Sequence, residues 1–258
     1  MRANSAARDA AGEQAPAQAE GAIGKADEAK HEVEVALGIS PADRDAHFMA
    51  ATIAAMSGDP NAQEAHLGAL QKAGADGYAV QMAFAEVAQA RRDGPRERAA
   101  LEAAHRFDAT QVEPLRRLFE LASTQRRDAD ALAALREIAR LDQHNGRVYT
   151  LLLEKLVSSG QWDEAKRVGQ AAIYVDVASA AIHVSYARAL SATGEHEAAA
   201  FELESALLCD SKPKAKATAH ALLARERGAL RDPAGALAER DEALRLDPEN
   251  EEARALKL

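Results

Sequence analysis

The sequence has 258 residues and a formal net charge of −9, and 64 of its residues are alanine. Val, Ile and Thr together number only 23, which argues against a β-sandwich or barrel, because β-branched residues cover the pleated surface of such sheets. The alanine excess instead favours helices, and the acidic balance argues against a general nucleic-acid binder. The single cysteine, Cys209, excludes an internal disulfide framework and a cysteine-based zinc cluster.

The N-terminal segment differs in composition from the rest of the chain. Residues 1–21 contain Ala, Gln, Glu, Asp and Gly with almost no large apolar side chain, which predicts disorder. The segment also lacks the apolar core of a signal peptide, which favours a cytoplasmic protein unless the chain is a fragment of an exported one. No stretch approaches the roughly 18 apolar residues of a membrane span. Residues 22–258 are predicted to form a helical repeat domain.

A repeat of 34 residues runs through this domain. Short polar turns recur at that spacing, starting at Gly24, Gly58, Arg92, Arg126, Gly160 and Gly194. A second marker is an Arg-Phe-Asp or Arg-Leu-Asp triplet that ends at Asp108 and Asp142. It returns at Asp247, three residues later than three further periods of 34 residues predict. We place the three extra residues in a lengthened loop between Cys209 and Lys216. A fixed period of this length is typical of a solenoid.

Each repeat contains two helical patterns. Apolar residues at helical spacing mark the clearest first helix, with Tyr149, Leu152, Leu153 and Leu156, and then the second helix, with Trp162, Ala165, Gly169, Ala172 and Ile173. Asp59-Pro60 and Asp232-Pro233 predict helix starts, with Asp as N-cap and Pro in the first turn. Small residues mark the middle of each helix, where we expect neighbouring helices to pack closely: Ala51, Ala85, Ala165, Ala187, Ala199 and Ala224.

These patterns resemble the tetratricopeptide repeat over residues 24–258. The residues that carry the resemblance are Gly160, Trp162-Asp163-Glu164-Ala165, Ala187, Gly194, Ala199, Ala206, Ala236, Glu242-Ala243-Leu244 and Asp247-Pro248. The resemblance implies an all-α, right-handed α-solenoid of about six helix pairs. A leading half-repeat, with a helix over roughly Ala26 to Leu37, precedes the pairs, and a short helix near Glu249 to Leu258 follows them. Phe119 and Leu153, and Glu97 in a second helix, replace small residues of the family, so we expect irregular packing over 44–145.

Three histidines occupy equivalent positions in first helices: His47, His183 and His220. They are either a row of metal ligands or packing residues at the family's aromatic position, and we favour packing because metal sites need converging ligands. Carboxylates two residues apart, such as Glu202 and Glu204, point to different faces of a helix. The sequence also lacks a glycine-rich phosphate loop. It therefore predicts a protein that is not an enzyme, with no catalytic residue, metal or cofactor.

Two further features have competing interpretations. Lys212, Lys214 and Lys216 follow Cys209 and could lower the pKa of its thiol, but we favour an incidental or structural role because thiol catalysis also needs a base and an oxyanion site. Residues 91–127 hold nine arginines against six acidic residues. We interpret this stretch as ion pairs and a solvated ridge rather than a nucleic-acid site, because helical spacing directs Phe107 and Phe119 inward.

The remaining candidate site is the concave groove that first helices line in a solenoid, where extended partners bind. By resemblance its lining comprises Phe48, Met82, Glu86, Arg116, Glu120, Arg147, Thr150, Glu154, Val184, Arg188 and Arg225. The arginines could bind carboxylates of a partner, or the Arg and Glu residues could pair with one another. The Lys/Asn set with which chaperone-binding relatives hold a peptide C-terminus is missing.

We therefore predict a non-catalytic scaffold that binds a protein or peptide partner in the groove, without nucleic acid and without a membrane span. The alternative is an accessory helical region of a larger enzyme, such as a hydrolase or transferase, which lacks its catalytic domain here. A further possibility is self-association through the ends of the array.

Overall fold

The computed structural model describes residues 28–256, so the predicted disordered segment 1–21 lies outside the described range. Within residues 28–256 the chain forms α-helices joined by short turns, which confirms the all-α class for this part. The helices are α1 (28–39), α2 (Arg44–Met56), α3 (Pro60–Lys72), α4 (Tyr78–Ala90), α5 (Gly94–Phe107), α6 (Glu113–Thr124), α7 (Asp128–Leu141), α8 (Gly146–Ser158), α9 (Trp162–Val175), α10 (Ala180–Ala192), α11 (His196–Leu208), α12 (Pro213–Ala229), α13 (Pro233–Leu246) and α14 (Glu251–Ala255).

The helices from α2 to α13 are taken two at a time along the chain. In each pair we call the earlier helix the first helix and the later one the second helix. The two helices pack on each other in the pairs α2/α3, α4/α5, α8/α9, α10/α11 and α12/α13, and α14 packs on α12 and α13. The predicted helix-pair repeat and the short final helix are therefore confirmed.

The described part of the chain divides into two compact units, with the division between Arg117 and Leu118. Unit 1 contains α1 to α5, unit 2 contains α7 to α14, and the boundary falls within α6. Each unit has its own apolar core. In unit 1 a cluster comprises Ala51, Leu67, Leu70, Val80 and Val87, and in unit 2 a cluster includes Ala187, Leu190, Leu203, Leu222 and Leu223.

The turn between the two helices of a pair repeats the same backbone geometry. One residue in each turn adopts a positive φ, at Gly58 (67°), Arg92 (57°), Arg126 (54°), Gly160 (69°), Gly194 (83°) and Arg231 (62°). Glycine adopts this left-handed conformation without steric cost, whereas Cβ crowding costs an L-residue roughly 1–2 kcal/mol there. The recurrence confirms the register predicted from the sequence.

Three of these turns hold arginine in the unfavourable conformation, which gives a test. We expect Arg92→Gly, Arg126→Gly and Arg231→Gly each to raise the free energy of unfolding by about 0.5–1 kcal/mol, because the relief of strain exceeds the entropy that glycine adds to the unfolded chain. Urea denaturation followed by circular dichroism measures the effect. Gly160→Ala is the matched control and should lower stability, and a triple glycine variant no more stable than the wild type would contradict the expectation.

Aspartate caps hold several helix starts. Asp59 accepts hydrogen bonds from the backbone N–H groups of Asn61 and Ala62, each at 3.0 Å, and Asp232 accepts from Gly235 at 2.9 Å. Pro60 and Pro233 occupy the first turns of their helices, where a missing N–H breaks no bond. Both predicted helix starts are confirmed.

The prediction of a lengthened loop between Cys209 and Lys216 was wrong. Only residues 209–212 connect α11 to α12. Helix α12 instead has 17 residues, against 13 in α10, so the extra residues add a turn to the helix. Pro213 is pre-organised for a first turn, and the Lys and Ala residues after it have high helix propensity, so the segment continues the helix rather than widening the loop.

The mid-helix alanines lie where the helices pack most closely. Ala51, Ala85, Ala165, Ala187, Ala199 and Ala224 are each at most 2% exposed. Gly169 is a more extreme case, because a Cβ at this position would collide with the ring of Tyr186. The predicted role of the small residues is confirmed.

Candidate functional site

The eleven residues predicted to line a groove all lie on first helices, and none is buried. Phe48, Met82, Glu86 and Arg116 belong to unit 1, and the other seven belong to unit 2. Exposed members are Phe48, Glu86, Arg116, Glu120, Arg147, Glu154 and Arg225, and half-buried members are Met82, Thr150, Val184 and Arg188. We call this set, within each unit, the first-helix surface.

Two of the arginines on this surface are engaged by carboxylates of the chain itself. Arg188 on α10 forms an ion pair with Glu252 on α14. Arg225 Nε donates to Glu226 Oε1 at 3.1 Å, and its guanidinium also lies 3.3 Å from Ser191 Oγ. The sequence left open whether the arginines bind carboxylates of a partner or pair within the chain. Arg188 and Arg225 pair within the chain.

Beneath the first-helix surface of unit 2 lies a buried carboxylate that sequence reasoning missed. Glu226 is 1% exposed. Its Oε1 accepts a hydrogen bond from Ser191 Oγ at 2.7 Å as well as from Arg225, and its Oε2 lies 2.7 Å from His196 Nδ1. Because these partners come from α10, α11 and α12, the carboxylate joins three helices. A glutamate between two arginines in α12 carried no recognisable signal of burial.

A cavity of about 480 Å³ opens on the same surface of unit 2. Two predicted residues, Glu154 on α8 and Val184 on α10, line it. Other lining residues were not predicted, and those with polar side chains are Ser179, Ser185, Asp210, Ser211 and Thr218. Much of the remaining wall is alanine. We call this space the Ser185 cavity.

The three equivalent histidines join the two helices of their pairs by hydrogen bonds. His183 Nδ1 lies 2.6 Å from Glu202 Oε2, and His220 Nδ1 lies 2.6 Å from Glu239 Oε2. His47 Nδ1 lies 3.1 Å from Nδ1 of His66, and burial together with His47 lowers the pKa of His66. The histidines therefore form polar links rather than purely apolar packing. Each partner stands 19 positions after its histidine, and this spacing is a signal that the sequence did offer.

Residues 28–256 contain no group of three or more His, Cys, Asp or Glu side chains arranged to hold a metal ion. Over the same range, no helix is long and apolar enough to cross a membrane.

Of the two interpretations of Cys209, the one in which nearby lysines lower the pKa of its thiol is not supported. Burial, and secondarily the nearby carboxylate of Asp176, raise the pKa of the thiol. We therefore expect iodoacetamide to alkylate Cys209 more slowly than free cysteine at neutral pH, because the thiolate is the nucleophile. Asp176→Asn should bring the midpoint of the rate against pH closer to that of free cysteine. Alkylation as fast as that of the free amino acid would refute the expectation.

The arginine-rich stretch 91–127 forms ion pairs, as predicted. Arg91 pairs with Glu64, Arg98 with Glu102, Arg117 with Glu97 and Arg127 with Asp130. The predicted inward orientation of Phe107 was wrong, because its side chain at the end of α5 is 53% exposed. Phe107 is the last residue of α5, and the preceding Arg106 is exposed as well.

Comparison with solved structures identifies the repeat. YrrB, a tetratricopeptide-repeat (TPR) protein with an unusual peptide-binding site, matches with a TM-score of 0.58 at 17% identity, over 72% of this chain and 94% of its own. The C-terminal part of a TPR protein from Cytophaga hutchinsonii matches with a TM-score of 0.58 at 14% identity, over 91% and 95%. MamA from Desulfovibrio magneticus matches with a TM-score of 0.53 at 14% identity, over 67% and 97%. This chain has the TPR fold.

In sequence the likeness is distant. No protein-family model matches the chain, and a comparison with curated proteins gives no match either.

One departure from the TPR pattern is compensated inside unit 1. Glu97, at a second-helix position where the family has a small residue, is buried, and its Oε1 lies 3.2 Å from a guanidinium nitrogen of Arg117 on α6. The two side chains are only 9% and 14% exposed. The same guanidinium nitrogen also lies 3.4 Å from Gln89 Oε1. The irregular packing predicted over 44–145 thus takes the form, at this position, of a buried ion pair.

Proposed function

We propose that this TPR chain is a non-catalytic interaction scaffold, which binds a protein or peptide segment on the first-helix surface of unit 2. The observation that carries the proposal is the Ser185 cavity, which opens on that surface among polar side chains. Cavities of roughly 300–1,000 Å³ with a few converging polar groups are the usual form of binding sites. The peptide-binding site of YrrB adds support, since it occurs on the same fold.

Site-specific photo-crosslinking tests the proposal. A photoreactive amino acid is introduced at Thr150 or Val184 on the first-helix surface, and the protein is irradiated in native lysate. The matched controls carry the same amino acid at Ala133 and Gln170, which are exposed on second helices. We expect the first-helix positions to capture proteins that the controls do not. The same products from both surfaces, or no products, would contradict the proposal.

Two further hypotheses stay predictions. An accessory role in a larger enzyme is tested by the gene sequence upstream of Met1, where a stop codon directly before it would remove the idea. Self-association is tested by light scattering across a range of concentrations, and a monomer at every concentration would count against it.

A further inference from the structure

The Ser185 cavity lies at a repeat position where several other repeats carry a larger side chain than serine. The repeat register places Arg117, Leu151 and Leu222 at the position that Ser185 occupies in α10. Leu222 is 2% exposed and belongs to the core of unit 2. A serine in place of such side chains leaves space, and the surrounding wall of Ala180, Ala206 and Ala219 does not refill it.

The charge that this cavity offers to a ligand is negative. Glu154 and Asp210 are the charged residues that line it, and both are exposed. Among residues 28–256 neither side chain has an ion-pair or hydrogen-bond partner. Of the three arginines on the first-helix surface of unit 2, Arg188 and Arg225 are engaged by Glu252 and Glu226, and Arg147 does not line the cavity.

Neutral polar groups in the cavity add hydrogen-bond acceptors. Ser185 is only 8% exposed, lines the cavity, and has no hydrogen-bond partner for its hydroxyl within the described part of the chain. Because the hydroxyl has no partner and its residue lines the cavity, it is available for a hydrogen bond with a ligand. The Thr218 hydroxyl donates to the carbonyl oxygen of Lys214 at 3.2 Å, which leaves its lone pairs to accept.

The two carboxylates, which only accept hydrogen bonds when ionised, favour a ligand that donates them. Lysine ammonium and arginine guanidinium groups have three and five N–H donors and no acceptor. The backbone carbonyl groups of a bound segment can accept hydrogen bonds from the N-terminus of α10. First-turn N–H groups have no partner inside a helix, and the N-cap residue Ser179 makes no side-chain capping bond to them.

We propose that the Ser185 cavity binds a lysine or arginine side chain of the partner segment. Glu154 and Asp210 pair with the cationic head, and the Ser185 hydroxyl accepts one of its hydrogen bonds. Small alanine side chains leave room for the aliphatic stem. The inference rests on the proposed function and names the chemistry that the first-helix surface of unit 2 recognises.

Selection from a random peptide library tests the inference. A phage library of random twelve-residue peptides is selected on the immobilised full chain, and the enriched peptides are synthesised for isothermal titration calorimetry. We expect enrichment of Lys or Arg at one position of the peptides. Replacing that residue by Gln should raise Kd about tenfold or more, since charge-assisted hydrogen bonds are lost, and added salt should weaken the wild-type complex.

Two protein variants locate the binding. Glu154→Gln/Asp210→Asn should weaken binding of the selected peptide about tenfold or more, whereas Glu197→Gln/Asp163→Asn, which removes the same charges from exposed second-helix positions, should leave it unchanged. Ser185→Leu should fill the cavity and likewise raise the Kd of the selected peptide about tenfold or more. The protein should keep its thermal stability, because Leu151 and Leu222 already occupy this repeat position.

Acidic consensus peptides, failure of any peptide to be enriched, or binding unaffected by Glu154→Gln/Asp210→Asn would each overturn the inference. These failures are distinguishable from failure of the proposed function. If Thr150 and Val184 still capture proteins that the controls do not, the scaffold stands and only the cationic partner is excluded. If they capture none, both are excluded.

Discussion

Arg117→Ala is expected to lower the free energy of unfolding of unit 1 by about 3–5 kcal/mol, because it leaves the Glu97 carboxylate buried without its counter-charge. The Glu97 side chain is 9% exposed, so it has little contact with solvent. Urea denaturation followed by circular dichroism measures the loss, and a loss below about 1 kcal/mol, as for a surface ion pair, would contradict the expectation.

A double variant separates the buried charge from the packing. The repeat register places Ala131, Ala165 and Ala199 at the position of Glu97, and Leu151 and Leu222 at the position of Arg117. Replacing a buried ion pair by apolar residues is often neutral or stabilising. Glu97→Ala/Arg117→Leu should therefore recover most of the stability that Arg117→Ala loses. A double variant as unstable as the single one would show that the ion pair is not the cause.

Glu226→Ala is expected to destabilise unit 2 by about 3 kcal/mol, through lost hydrogen bonds and the space left behind. The carboxylate is 1% exposed and contacts Ser191, His196 and Arg225. The cost is smaller than the sum of three charge-assisted hydrogen bonds, because none of the freed partners is fully buried and water can reach them.

Glu197→Ala is the matched control for Glu226→Ala. It removes the same side chain from an exposed position on α11 and should change stability by no more than about 0.5 kcal/mol. Differential scanning calorimetry of both variants gives the comparison, and similar melting temperatures for the two would refute the role assigned to the buried carboxylate.

The backbone of this chain could be predicted from its sequence because the deciding signals are local. Three signals act within one helix pair: a polar turn every 34 residues, an Asp-Pro pair at a helix start, and an alanine at each close contact. The extra turn of α12 was not predicted, since residues 209–216 can extend a helix or a loop and neighbouring packing selects between them.

The candidate site was predicted only in part, because its geometry depends on contacts between distant residues. The resemblance to the tetratricopeptide repeat implied the eleven side chains on first helices. Register does not reveal that Arg188 pairs with Glu252, 64 positions later, or that Glu226 is buried. Ser185 could have been found, since aligning the repeats sets this serine beside Leu151 and Leu222.

Binding of the native partner at the first-helix surface of unit 2 is tested most directly by one comparison. The dissociation constant of the partner captured through Thr150 or Val184 is measured for the wild type and for Ser185→Leu, at equal thermal stability. We predict that Ser185→Leu raises Kd about tenfold or more, because the leucine fills the cavity that holds the partner's basic side chain. An unchanged Kd would place the partner elsewhere and contradict the assignment.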